Sequence, residues 1–287
     1  MRYVIAVADA GGFQLAAHGL HMSQPPLSRQ IRDLERELGV TLFHRRPTRL
    51  TAEGHTFVTH ARAILADVDR AITETRGAGR RHTGVVRIGC GPMSGSTDIP
   101  RLAAAVRSRH PGIELRVSEM WDTALSSALV SGEVDVAVGW QLSIDGQWAR
   151  GVVRREPLIV VVADKHRLAG EDAVWLADMR DDTFRFLPRH FAPDYYDAVL
   201  AAVYGSGVNF TMWENPFPGL RYFGDLDVGG FHVLPRSIAG ALPAGVRVLT
   251  IRDTLPMVEL NMVWRPGAGG AVEAFAAVAC PAVGPGA

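Results

Sequence analysis

The sequence predicts a multidomain chain of mixed α+β and α/β class. A small helical unit closed by a two-stranded wing comes first, then one long helix, then a larger α/β domain of two lobes. Three observations carry this. Residues 13–42 read as a helix, a tight turn and a second helix. Phe57, Ala61, Ile64 or Leu65, Val68 and Ile72 then repeat at helical spacing for about five turns. From Gly84 onward, apolar runs of strand length alternate with helical segments, the pattern of a parallel sheet with right-handed crossovers. With 287 residues, 47% of them hydrophobic, the chain can build more than one core.

The second helix should open at Ser23, a good N-cap, with Pro25 and Pro26 in the first turn, where backbone N–H groups lack intrahelical partners. Leu27, Ile31, Leu34 and Leu38 fall on one stripe. Pro25, Arg29, Arg32 and Arg36 lie opposite, within about 60° of one another, with Ser28 beside them. The first helix offers Phe13, Ala16, Ala17 and Leu20 to the same core, and its alanines allow close approach. Ahead of it, Tyr3, Ile5 and Val7 add further core residues. The stretch HRRPTRLT that follows can fold into a short arginine-bearing wing. Formal net charge is zero, so any affinity for a polyanion must be local. Between Ser23 and Arg49 six arginines face three acids, an excess of three. This is how a small domain offers a helix to a DNA major groove. A solvated amphipathic helix would explain the charges but not the succession of helix, turn, helix and wing.

Thr51 is a candidate N-cap for the long helix, with Glu53 in its first turn. A striped helix outside either domain packs on a second copy of itself or back on its own helical unit. The Gly- and Arg-rich residues 75–84 read as a hinge. Beyond it, VVRIGC reads as a buried strand, IELRVSEM as an alternating one and VDVAVGW as another, with helices DIPRLAAAVRSRHPG and DTALSSALVSGE between them. LIVVVA, AVLAAVYGSG, GGFHVLP, RVLTI and ELNMVW continue the style, and an Ala- and Gly-rich tail follows Pro266. Gly89-x-Gly91-x-x-x-Gly95 is superficially like a dinucleotide-binding turn, with Glu119 as a ribose partner, but its spacing is off by one. Ser94, Ser96 and Thr97, or Asp122 and Thr123, near helix starts suit a small ligand as well as they suit capping.

Several classes find no support. There is no nucleophile elbow, no zinc-binding H-E-x-x-H and no phosphate loop ending in lysine, so no catalytic residue is nominated. His18 and His21 lack partners at ligand spacing, and no metal site is expected. Cys90 and Cys280 fit a reducing compartment. No apolar run approaches the ~20 residues of a membrane span, and the apolar start is too short for a signal peptide. A cytoplasmic protein is expected.

The helix-turn-helix residues carry a close resemblance to the LysR-type transcriptional regulators. Ser23, Gln24, Pro25, Leu27, Ser28, Arg29, Ile31, Leu34, Glu35, Leu38, Gly39, Leu42 and Phe43 match the family pattern. His110-Pro111-Gly112, residues 132–137 and Leu234-Pro235-Arg236-Ser237 extend the match. The resemblance implies a winged helix-turn-helix over 1–52, a linker and dimerisation helix over 53–79, and an effector-binding domain over 84–280, similar to periplasmic solute-binding proteins. Its first lobe would be 84–157 with 250–280, and its second 158–249. Ser23, Gln24, Pro25 and Ser28 would meet base edges, Arg29 would divide between base and phosphate, and Arg32 would reach phosphate. Arg45, Arg46 and Arg49 would enter or flank the minor groove.

Phe57, Ile64, Leu65, Val68 and Ile72 would pair two copies. Ser94, Ser96, Asp122, Thr123, Trp140, Phe191 and Tyr195 would contact a small-molecule effector between the lobes. No cofactor is implied. The implied partners are double-stranded operator DNA with an inverted repeat, a second copy in a homodimer, a homotetramer of two dimers, and RNA polymerase. A solute-binding protein and a nicotinamide-dependent enzyme are the alternatives. Departures are specific. The acid of Leu50-Thr51-Ala52-Glu53-Gly54 comes one position late, the wing is about two residues short, and the chain starts a few residues late. Trp140 and Asp122 stand where relatives sensing aromatic-breakdown acids often carry a basic residue and a threonine. That counts against a simple dicarboxylate and favours a neutral, aromatic or cationic effector.

Overall fold

The computed structural model describes residues 1–77, 84–216, 226 and 229–281. It divides into two compact units, Met1–Arg76 with Val130–Glu133, and Gly77–Leu129 with Val134–Ala287. The hinge expected at 75–84 lies mostly outside the described residues.

The first unit runs α1 (Arg2–Ala10), α2 (Phe13–Gly19), α3 (Gln24–Leu38), β1 (Phe43–Arg45), β2 (Thr48–Leu50) and α4 (Ala52–Gly77). Gly11 at φ 66° stops α1 in the left-handed region that glycine enters without penalty. His21, at φ 53°, makes the α2–α3 turn, while the Met22 N–H bonds the Ala17 carbonyl at 3.0 Å. The core is formed by Val4, Val7, Phe13, Ala16, Ala17, Leu27, Ile31, Leu42, Phe43 and Val58. Two expectations need correction. Tyr3 is exposed and Ile5 only half-buried, because α1 turns Val4 and Val7 inward. Leu38 is 43% exposed although it continues the stripe, since fifteen-residue α3 outruns seven-residue α2 and leaves its last turn uncovered. Antiparallel β1 and β2 form the wing. The Thr51 hydroxyl accepts from the Gly54 N–H at 2.9 Å and donates to the Thr41 carbonyl at 2.6 Å, capping α4 against the chain before the wing. A Cβ on Gly54 would sit 2.0 Å from the Leu42 carbonyl oxygen, so only glycine fits.

The second unit holds two sheets. In the first, the order is β4 (Ile113–Glu119), β3 (Gly84–Cys90), β5 (Val136–Trp140), β13 (Val258–Trp264) and β6 (Ala149–Glu156). β3 pairs in parallel with β4 and β5, through crossover helices α5 (Pro92–Arg109) and α6 (Asp122–Val130). In the second, the order is β10 (Met212–Glu214), β9 (Phe184–Phe186), β11 (Phe231–Pro235), β7 (Leu158–Ala163), β12 (Val246–Ile251) and β8 (Ala173–Val174), with α7 (Pro193–Tyr204) following the Arg189–Phe191 turn. The chain crosses between lobes twice, from β6 into β7 and from β12 into β13.

Three sequence expectations change here. α5 begins six residues earlier than its apolar pattern suggested, at Pro92. β4 is an edge strand, exposed over most of its length rather than alternating. The supposed tail contains α8 (Gly270–Ala279), whose Val272, Phe275, Ala276 and Val278 are buried. The glycine pattern is steric: only Gly91 lies between β3 and α5, and Gly95 is already inside the helix. A Cβ on Gly89 would stand 2.6 Å from a Leu125 methyl. A Cβ on Gly95 would stand 3.2 Å from Glu119 Oε2 and 3.3 Å from Cys90 Sγ, so packing accounts for Gly89 and Gly95, whereas Gly91 has only ordinary contacts.

Candidate nucleic-acid interface and ligand cleft

In the first unit, α3 is anchored from behind by Leu27 and Ile31, 0% and 1% exposed. Its other side presents Ser23, Gln24, Pro25, Arg29 and Arg32 to solvent, with Ser28 half-buried. Gln24 and Ser28 border a shallow concavity whose other walls are Gln14 and Leu15 of α2 and Arg45 and Thr48 of the wing. The sequence reading passed over Gln14, Leu15 and Thr48; their placement depends on the turn and the wing, not on helical period. Among the described residues Arg29, Arg46 and Arg49 make no ion pair, so their charge remains available. Arg45 differs: it pairs with Glu35 at 2.5 Å and lies 4.7 Å over the Phe13 ring. Glu35 also accepts the Leu42 and Phe43 N–H groups at 2.8 and 3.2 Å. One acid thereby fixes the wing to α3, and Arg45 supports the wing as well as facing outward.

On α4, Phe57 is half-buried and packs on the core of its own unit. Leu65 is half-buried, whereas Ile64, Val68 and Ile72, spaced four apart, are exposed.

The cleft of the second unit lies where α5 and α6 begin, beyond the carboxyl ends of parallel strands, the usual ligand position in such sheets. Gly91, Pro92, Met93 and Ser94 form one wall, Trp121 and Asp122 a second, and Trp140 the floor; Leu187, Ala192 and Tyr195 close it from the other lobe. It holds about 300 Å³ of atom-free space counting its mouth, of which about 20 Å³ can take the centre of a water molecule. Four of the seven predicted residues meet here: Ser94, Asp122, Trp140 and Tyr195.

The other three do not line it. Ser96 is exposed and returns its hydroxyl to the Pro92 carbonyl, as helical serines do. Thr123 is exposed on the outer side of α6. Phe191 packs on Trp121, with ring centroids 4.9 Å apart, and so supports the wall from behind. Trp121 itself was missed; its place immediately before the acid of a helix start was the available signal.

Satisfaction of polar groups is uneven around the cleft. The buried Ser94 hydroxyl is within 3.0 Å of the Gly91 carbonyl. Trp140 Nε1 and the Tyr195 hydroxyl, in residues 3% and 0% exposed, have no hydrogen-bond partner among the described residues. Burial, reinforced by nearby Asp194, pushes the Asp122 carboxyl up to about 7. Burial likewise raises Tyr195, with Glu156 and Asp122 adding to the effect, so its hydroxyl stays a donor. Arg154, its Cζ 6.0 Å from the Trp140 ring centroid, is held by Asp98 at 2.7 Å and Glu156 at 3.1 Å, and among the described residues no basic side chain lines the cleft. The buried thiols of Cys90 and Cys280 are pushed up to about 12 and about 11, chiefly by burial, so neither is a thiolate near neutrality. Among the described residues no His, Cys, Asp and Glu cluster could hold a metal ion, and no helix is long and apolar enough to cross a membrane.

These two sites define a helix-turn-helix regulator carrying a two-lobed, ligand-binding α/β domain. Residues 1–55 match the model of bacterial regulatory helix-turn-helix proteins of the lysR family, and residues 79–216 match the LysR substrate binding domain. The chain belongs to the LysR family of transcriptional regulators. It is 31% identical to the HTH-type transcriptional regulator BudR of Raoultella terrigena, over 92% of this chain and 93% of that protein. It is 33% identical to the HTH-type transcriptional regulator CatR of Pseudomonas putida, over 93% and 92% respectively. Full-length CbnR complexed with its target DNA superposes with a TM-score of 0.77 at 25% identity, covering 97% of this chain and 96% of that one.

Proposed function

We propose that this protein is a cytoplasmic regulator that binds an inverted-repeat operator as a dimer, or as a tetramer of two dimers, and responds to a small effector in its cleft. The observation carrying this reading is the exposed face of α3 over a buried stripe, with an arginine-bearing wing beside it. Ser23, Gln24, Pro25 and Ser28 read base edges, Arg29 divides between base and phosphate, Arg32 reaches phosphate, and Arg46 and Arg49 follow the minor groove. CbnR, a family member, has been seen on its target DNA. The exposed Ile64, Val68 and Ile72 stripe supports pairing through α4 in a second copy. Effector binding shifts operator affinity only as far as it prefers one lobe arrangement over another. The protein needs no cofactor and catalyses no reaction; its relatives are named as regulators.

Footprinting of the full-length protein on the DNA upstream of its own gene tests the reading. Two protected half-sites about one helical turn apart are expected. Absence of protection at modest salt, alongside normal folding, would overturn it.

A further inference from the structure

Resting on that reading of the cleft, we infer that the effector is a small uncharged molecule with an oxygen acceptor for Trp140 Nε1–H and the Tyr195 hydroxyl and an N–H or O–H donor for Asp122. It carries no carboxylate.

The walls set the shape. Two indole rings, Trp121 and Trp140, the Tyr195 ring and the side chains of Met93 and Leu187 leave an apolar, flat-walled space. As it stands the space takes the centre of a water molecule over only about 20 Å³, so a ring-sized effector enters by parting the two lobes. The polar groups set the chemistry. Trp140 Nε1 can only donate, and the raised Tyr195 phenol is held as a donor. Both are deeply buried without an acceptor among the described residues, and a buried donor left unpaired is a cost that a ligand oxygen would remove.

Asp122 stands opposite to anion capture. Its carboxyl lines the cleft and, among the described residues, accepts no hydrogen bond. Asp194 of α7 adds negative potential, with its own carboxylate accepting the Ser143 N–H at 3.1 Å. Among the described residues, the remaining lining from α5, β5 and the second lobe supplies no titratable group other than Tyr195, which Glu156 also faces. The nearby Arg154 is already compensated by Asp98 and Glu156. A carboxylate ligand would therefore meet Asp122 without a countercharge, whereas an amide presents its oxygen to Trp140 and Tyr195 and its N–H to Asp122. A purely cationic amine would leave both donors unpaired.

Benzamide, benzoate and benzylamine are matched probes of similar shape and different charge. Each is titrated into the full-length protein near pH 8, following tryptophan fluorescence. Benzamide is expected to bind roughly tenfold more tightly than either charged probe. Near pH 6, where Asp122 gains its proton, the disadvantage of benzoate should shrink, and Asp122→Asn should remove that pH dependence. Tyr195→Phe should weaken benzamide by about fivefold while the unliganded protein melts no lower, because it loses an unpaired hydroxyl. A purely structural role would instead lower the melting temperature. Tighter binding of benzoate or benzylamine than of benzamide would overturn the inference while keeping the cleft as an effector site. No response to any of the three would count against both.

Discussion

The α3 face and the inter-lobe cleft solve recognition in opposite ways. On α3, Arg29 and Arg32 stand in water, where a charge is cheap to keep and long-range attraction to phosphate begins. In the cleft, Asp122, Trp140 and Tyr195 are buried with their polar atoms unmet, so selectivity comes from what the ligand must supply. The first surface depends on its apolar backing for rigidity, whereas the second contains its own source of instability. Mutations in the two regions should therefore move stability in opposite directions.

The largest effect is expected behind α3. Leu27→Ala removes a fully buried side chain and should destabilise the first unit by about 2–5 kcal/mol, read as a lowered melting transition with loss of operator binding. An unchanged transition would show that the stripe is not the support assigned to it.

Asp122→Asn should act the other way, and only at higher pH. The folded carboxyl titrates at about 7 against an ordinary value of 3.8, so the native state holds its proton more tightly than the unfolded chain. Stability associated with that proton is present in full below about pH 4 and is lost as pH rises through 7. The asparagine variant, always neutral, should match the parent near pH 4 and exceed it near pH 8, on the order of 4 kcal/mol by chemical denaturation. A gain that does not grow with pH would remove the strain assigned to the cleft.

The same contrast explains what could be read in advance. The α3 face was legible because one helix brings its arginines and leucines to opposite sides by period alone, and contiguous residues carry it. The cleft draws on residues from Gly91 to Tyr195, and only those at strand ends or helix starts, such as Ser94, Asp122 and Trp140, betray their position. Phe191 was misplaced by one layer because a short turn has no period to say which way a ring points; it meets Trp121 instead. Helix α8 was invisible for a different reason. A helix buried on nearly all sides has no polar face, and an Ala- and Gly-rich run gives it little contrast. Leu38 shows the converse, since periodicity names a face but not the length over which a partner covers it.

The most direct test of the account compares two arginines on one operator by quantitative gel shift. Arg29→Ala removes a solvent-facing charge from the reading side of α3; Arg116→Ala removes another exposed one from edge strand β4, where it pairs with Glu114. Arg29→Ala should cost about 1–3 kcal/mol of specific binding, and Arg116→Ala within about 0.5 kcal/mol of nothing. Equal losses, or none at Arg29, would contradict the assignment of α3 as the helix that reads DNA.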